Sequence, residues 1–177
     1  LGVGRRKKQS IDDFEQAHEH GPNLENIVKQ RRDGSIDICH RLHSDRLGDQ
    51  YLGVADCFRD EGDITEAAEY YDLAREHHMK RAANPRQADA ETYVALFLIC
   101  DGLRKCGREG LSDEKTRHFR SAVDEYYNML EKLGENDNLM RYVIFLRISE
   151  LSKRMGFGQW ADRIRGDAEQ YKQSELA

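Results

Sequence analysis

The sequence predicts an all-α protein, built of antiparallel helical hairpins that stack as a short α-solenoid or an irregular helical bundle. Three observations carry this. Apolar residues recur at three- and four-residue spacing through most of the chain, the period of one helix face. Proline, which removes a backbone donor and breaks helices, stands only at Pro22 and Pro85. Few stretches alternate Val, Ile and Thr as a half-buried strand would. A chain of 177 residues can bury a core without disulfide or metal. Its balance of 38% hydrophobic and 34% charged residues suits a thin helical layer with two solvated faces.

Residues 1–10 read as a flexible basic tail in which Arg5, Arg6, Lys7 and Lys8 follow one another. Ser10 can cap a helix from Ile11 to His20, which Gly21-Pro22 ends. Pro22 then suits the first turn of a segment whose Leu24, Ile27 and Val28 share a face up to Arg32. Asp33-Gly34 turns the chain, and Ser35 opens a helix through Ile36, Ile38, Cys39 and Leu42. The segments 22–32 and 35–46 make a capping pair within residues 11–46, laid against the helix that follows.

Next, Tyr51, Val54, Ala55 and Phe58 share one face of a helix, Gly62-Asp63 interrupts it, and Ala67, Tyr71 and Ala74 line a second that runs to Met79. Asn84-Pro85 marks a loop. From Gln87 onward Ala90, Tyr93, Val94, Phe97, Leu98 and Leu103 cover too many sides for a surface helix, so this segment should be the most buried. Gly107 to Gly110 breaks it. Ser112 is expected to cap a helix through Phe119, Ala122, Val123, Tyr126, Tyr127, Leu130 and Leu133, ended at Gly134. Residues 134–137 turn, Leu139 to Leu151 gives a helix ending near Met155, and Gly156-Phe157-Gly158 turns again. Trp160, Ala161, Ile164, Ala168 and Tyr171 line the last helix, making about eight in all.

Tyr51, Val54, Ala55, Phe58, Gly62, Ala67, Tyr71 and Ala74 follow one order: a large aromatic, a hydrophobic and small pair, an aromatic, a turn glycine, then Ala, aromatic, Ala. Met79 stands where a proline would close that pattern. In this order residues 49–79 resemble the tetratricopeptide repeat (TPR). Ala122, Tyr126 and Met129 repeat the spacing of Ala67, Tyr71 and Ala74, so 87–133 looks like an enlarged repeat. Ala161 and Ala168 match within 138–172, where Arg165 replaces an aromatic, as in a degenerate C-terminal repeat. The unequal intervals between Ala67, Ala122 and Ala161 depart from a constant period, which keeps the irregular bundle open.

The resemblance implies a single TPR-like domain over 11–177 that acts without catalysis. It implies a protein–protein interaction scaffold or adaptor, binding a peptide or partner helix in a concave groove. It places Asp49, Leu52, Asp56, Arg59 and Asp60 on that groove. Some repeats of this family clamp a C-terminal carboxylate with a Lys and an Asn, at positions that here hold Leu52 and Asp56. Asp56 would repel a carboxylate, so the groove is expected to suit a basic, amphipathic or helical peptide.

Two other readings compete. A nucleic-acid-associated adaptor would use Arg5, Arg6, Lys7 and Lys8 with a patch over 104–120, chiefly Arg104, Lys105 and Arg108, and stack bases on Tyr70-Tyr71 or Tyr126-Tyr127. The net charge of −5 and the interleaved Asp101, Glu109, Asp113 and Glu114 count against it, and one tyrosine of each pair falls on an apolar stripe. A homodimer, or a structural subunit of a larger assembly, would leave apolar residues such as Phe97, Tyr142 or Trp160 uncovered.

No metal or cofactor is expected. His18 and His20, Cys39 with His40 and His43, and His77-His78 form no complete ligand set, and the last pair reads as surface histidines near a helix C-terminus. Asp12-Asp13, Asp60-Glu61 and Asp89-Glu91 read as acids beside turns or helix starts, where they stabilise exposed N–H groups. No phosphate loop, nucleophile elbow or HExxH occurs, so no enzyme activity is expected. Cys39, Cys57, Cys100 and Cys106 read as reduced core or boundary thiols. The longest apolar run, 94–100, is far short of the ~20 residues that span a bilayer, and no secretory leader is evident. The expected setting is cytoplasmic.

Overall fold

The computed structural model describes residues 47–176, with side chains through residue 172. The basic tail, the helix expected at 11–20 and the capping pair at 22–46 lie outside the described residues, as do Cys39 and the histidines at 18, 20, 40 and 43. Among the described residues the chain is all helical. Its helices are α1 (Leu47–Glu61), α2 (Ile64–Ala82), α3 (Ala90–Lys105), α4 (Ser112–Glu131), α5 (Asn138–Arg154) and α6 (Gly158–Leu176). They pack as hairpins α1/α2, α3/α4 and α5/α6, with α2 also lying against α3 and α4 touching α5 only lightly.

The turns follow from backbone chemistry. Gly62 has φ of 87°, a conformation open to a residue without Cβ, and lets its N–H reach Arg59 O while the Asp63 N–H reaches Phe58 O. Two otherwise orphaned carbonyls at the end of α1 are thus satisfied. The same arrangement ends α3 at Gly107 and α5 at Gly156.

Two starts differ in their cause. Asp89 caps α3 by accepting from the Thr92 N–H at 2.8 Å and the Thr92 hydroxyl at 2.6 Å. At α4 the expected cap fails: Leu111 holds the cap position and Ser112 lies inside the first turn, its carbonyl taking the Thr116 hydroxyl at 2.9 Å. Leu111 belongs to a buried cluster, so burial of its side chain prevails over side-chain capping. Asp60 and Glu61 lie beside the Gly62 turn, as expected, but in the last turn of α1, where the exposed backbone groups are carbonyls and not the N–H groups an acid would stabilise.

The interior has two parts. Tyr51, Val54, Phe58, Ala67, Tyr71 and Ala74 form the first with Ile99 and Leu103; Phe97, Phe119, Ala122, Tyr126, Ile144, Ile148 and Ile164 form the second. Because α3 contributes to both, nine of its residues are buried, as its apolar breadth led one to expect. Rings dominate the first part: Phe58 stacks on Tyr70 at 5.7 Å, and Tyr51 tilts against Tyr70 at 6.0 Å.

Several expectations on individual residues change. Tyr70 and Tyr71 are both buried, because α2 is covered by α1 and by α3, and neither is a platform for a base. Phe97 is fully buried and not uncovered, whereas Trp160 is exposed and Tyr142 half-buried. Met129 is exposed, so the spacing it shares with Ala74 does not carry the same burial. Among the described residues no helix is long and apolar enough to cross a membrane.

Candidate partner-binding cleft

The hairpin α1/α2 brings the start of α1 beside the end of α2, and the short connection at 83–89 returns α3 to the same place. Arg81 fixes that return, donating from Nη2 to Asp89 Oδ2 at 2.9 Å and from Nε to Gln87 O at 3.1 Å. Gly48 permits the close approach of α1, since a Cβ there would stand 2.9 Å from the His78 ring. A cleft of ≈ 330 Å³ results. Asp49 and Leu52 of α1, His78 and Arg81 of α2, and Glu91, Val94 and Leu98 of α3 are among its lining.

Its chemistry is mixed. Leu52, Val94 and Leu98 are half-buried and supply apolar wall. Burial would raise the Asp89 carboxyl, but its bonds from Thr92 and Arg81 hold it below the usual carboxylate range, as one half of an ion pair. Glu91 accepts from the Tyr126 hydroxyl at 2.6 Å, and burial followed by this bond pushes the Tyr126 phenol up. His78 is the unusual member: it is 5% exposed, and neither ring nitrogen has a hydrogen-bond partner. Asp49 Oδ1 lies 3.1 Å from its Nε2, near enough for an ionic contact but not aligned as a hydrogen bond.

Of the five groove residues read from the sequence, Asp49 and Leu52 meet in this cleft. The other three lie farther along α1 in a different network. The Tyr71 hydroxyl donates to Asp56 Oδ1 at 2.5 Å, Arg59 Nη1 donates to Asp56 at 3.0 Å and to the Tyr71 oxygen at 2.8 Å, and Arg59 Nη2 reaches Asp60 at 2.9 Å. Burial, then the bond to Asp56, pushes the Tyr71 phenol well up. Asp56 and Arg59 are therefore committed to an interior tyrosine.

Sequence reasoning does not place His78, Arg81, Glu91, Val94 and Leu98 in a groove: it reads His78 as a surface histidine, Glu91 as an acid beside a helix start, and Val94 and Leu98 as part of a broad apolar surface. A signal for His78 was present: Ala67, Tyr71, Ala74 and His78 continue one interior spacing, and a polar residue at an interior position asks for explanation. His78 is buried rather than on the surface, while His77 is half-buried with its ring 5.4 Å from Tyr51.

Arg104, Lys105 and Arg108 do converge, beside a hollow at the α3–α4 connection. Two of them already face carboxylates: Lys105 meets Asp101 at 3.2 Å, and Arg108 grips Asp72 with two bonds. Arg5, Arg6, Lys7 and Lys8 lie outside the described residues. One further cluster, Cys100, Glu114 and His118, has donor atoms within 4.8 Å of one another. There Arg75 binds both Glu114 oxygens at 2.7 to 2.9 Å, and burial pushes the Cys100 thiol up to about 12. A guanidinium thus supplies the cation, and the cluster pins α2 to α4.

No protein-family model, no curated protein and no solved structure matches the chain.

Proposed function

We propose that this is a protein–protein interaction module, a scaffold or adaptor of TPR-like design that holds a segment of another protein in the cleft between α1, α2 and α3. It acts by binding, without catalysis. The observation that carries this is the cleft itself, where apolar walls from Leu52, Val94 and Leu98 meet carboxylates and a buried His78 that has no hydrogen-bond partner. Such a mixture of apolar wall and a few placed polar groups is what small binding sites offer. A cytoplasmic setting goes with the reading, since Cys57, Cys100 and Cys106 are free thiols.

The test is capture from native lysate by the immobilised chain and by its Leu52→Arg variant, with and without nuclease. Partners that survive nuclease and are lost with Leu52→Arg are the expected result. Partners that vanish with nuclease would replace the reading with the nucleic-acid adaptor.

A second reading, a subunit of a larger assembly, is favoured by one observation on α5. Leu139, Met140 and Val143 lie within one helical turn and are 64%, 47% and 43% exposed. Light scattering of the purified chain tests it: self-association or precipitation that Leu139→Lys with Val143→Lys relieves is expected there, and a clean monomer removes it.

A further inference from the structure

The cleft described above has a sign. Its charged groups are Asp49, Asp89 and Glu91 against Arg81. Arg81 and Asp89 neutralise each other at 2.9 Å, which leaves Asp49 and Glu91 facing a small space with apolar walls. An anion entering would meet both carboxylates with repulsion. These groups do not gather as metal ligands either. Among the described residues the one cluster whose donor atoms converge is Cys100, Glu114 and His118, elsewhere in the fold. The charge is spread along the walls, which suits an extended organic cation better than a compact ion.

His78 points the same way. Both of its ring nitrogens are buried in the cleft lining without a hydrogen-bond partner among the described residues, and Asp49 Oδ1, 3.1 Å from Nε2, cannot donate. Leaving a buried polar atom unsatisfied is costly, and an incoming N–H would satisfy it. A fully apolar guest would leave it as it is.

We infer that the cleft recognises a Lys or Arg side chain of a partner protein, its methylene stem along Leu52, Val94 and Leu98 and its N–H donors between His78, Asp49 and Glu91. Long basic side chains carry this division of stem and head themselves. Asp49 and Glu91, neither of them paired with a Lys or Arg among the described residues, supply the charge complementarity, and an apolar neighbour in the partner segment would continue the contact on Leu52 and Leu98. The inference rests on the cleft being a binding site for a protein segment.

A display library of random nine-residue peptides, selected on the full chain, provides the probe. The expected result is enrichment of peptides with Lys or Arg beside an apolar residue. Their affinity should fall about tenfold or more in the double variant Asp49→Asn with Glu91→Gln, which keeps shape and hydrogen-bond acceptors. Enriched peptides without a basic residue, or with affinity unchanged in the double variant yet lost in Leu52→Arg, would overturn the basic recognition while leaving the cleft reading intact. Peptides that still bind Leu52→Arg, or no enrichment at all, would remove both. Binding that appears only after residues 1–8 are deleted would overturn the partner assignment in favour of the chain's own Arg5 to Lys8.

Discussion

The first and last hairpins, α1/α2 and α5/α6, are built of helices of similar length and share the same glycine turn, yet they are held by different means. The first is fixed by stacked rings and by directional polar bonds. Tyr71 is tied to Asp56 inside it, and Arg75, Arg81 and Asp72 tie it outward to Glu114, Asp89 and Arg108. The last also has a ring stack, Phe145 on Tyr171 at 5.6 Å, but is held otherwise by aliphatic burial of Ile144, Ile148, Leu151 and Ile164 around small Ala161 and Ala168, with few directional polar bonds between its helices. Ser149 adds one buried bond to Ala161 O at 2.8 Å, and the ion pairs Arg147–Glu150 and Lys172–Glu169 each stay on a single helix. Directional bonds admit one register, whereas apolar contact tolerates small shifts. The first hairpin is thus suited to hold a cleft in shape, and the last to offer an adaptable apolar surface.

Ala67→Glu should break this contrast most. It puts a charge at a fully buried site between α1 and α2, costing about 4 kcal/mol and removing one wall of α3. Ala168→Glu, equally buried in α6, should release the last hairpin and spare α1 to α4. Urea unfolding followed by hydrogen exchange separates the two, and an identical collapse in both variants would erase the distinction.

Arg75→Met comes next, at about 2–3 kcal/mol, because it leaves the Glu114 carboxylate without its cation. Burial opposes ionisation of Glu114, Asp89 and Asp101, but their hydrogen bonds to Arg75, to Thr92 and Arg81, and to Lys115 prevail and lower all three. A lowered carboxyl stabilises the fold above its ordinary value and loses that contribution as pH falls through the folded value. His118, lowered from 6.5 chiefly by burial, adds a loss that begins higher, as pH drops below 6.5. Urea midpoints should therefore fall in acid through α1 to α4, and the gap between the protein and Arg75→Met should narrow as the carboxylates protonate.

A pair of glycine substitutions sharpens the comparison at smaller scale. A Cβ on Gly102 would stand 2.2 Å from the Tyr71 ring, so Gly102→Ala should cost about 1–3 kcal/mol. Gly166 in α6 faces open space, and Gly166→Ala should stabilise by about 0.5–1 kcal/mol. Smallest of all, Arg147→Ala should change stability by less than about 0.5 kcal/mol, as its pair with Glu150 is exposed. Thermal melts of the three variants check the order.

Helix positions and turns were legible because they depend on neighbours: apolar spacing sets a face, and Gly62, Gly107 and Gly156 end helices by local backbone geometry. Bonds such as Tyr71 to Asp56 or Arg75 to Glu114 were not, since they join residues 15 and 39 apart and exist only once particular faces meet. The cleft was half legible for the same reason. Asp49 and Leu52 lie on the helix that carried the resemblance, whereas His78, Glu91, Val94 and Leu98 are brought to them by two other helices. Leu111 shows the converse, where a long-range burial overruled the local rule that favoured Ser112 as a cap.

The position of α3 between two interiors bears on how the chain could be dissected. A gene cut between Phe97 and Ile99 would give two pieces, each with an open apolar face where Ile99 and Leu103, or Phe97, had closed it. Neither half would stand alone, and the backbone amides of α3 should be the last in the described region to exchange with solvent, opening only when both interiors open together.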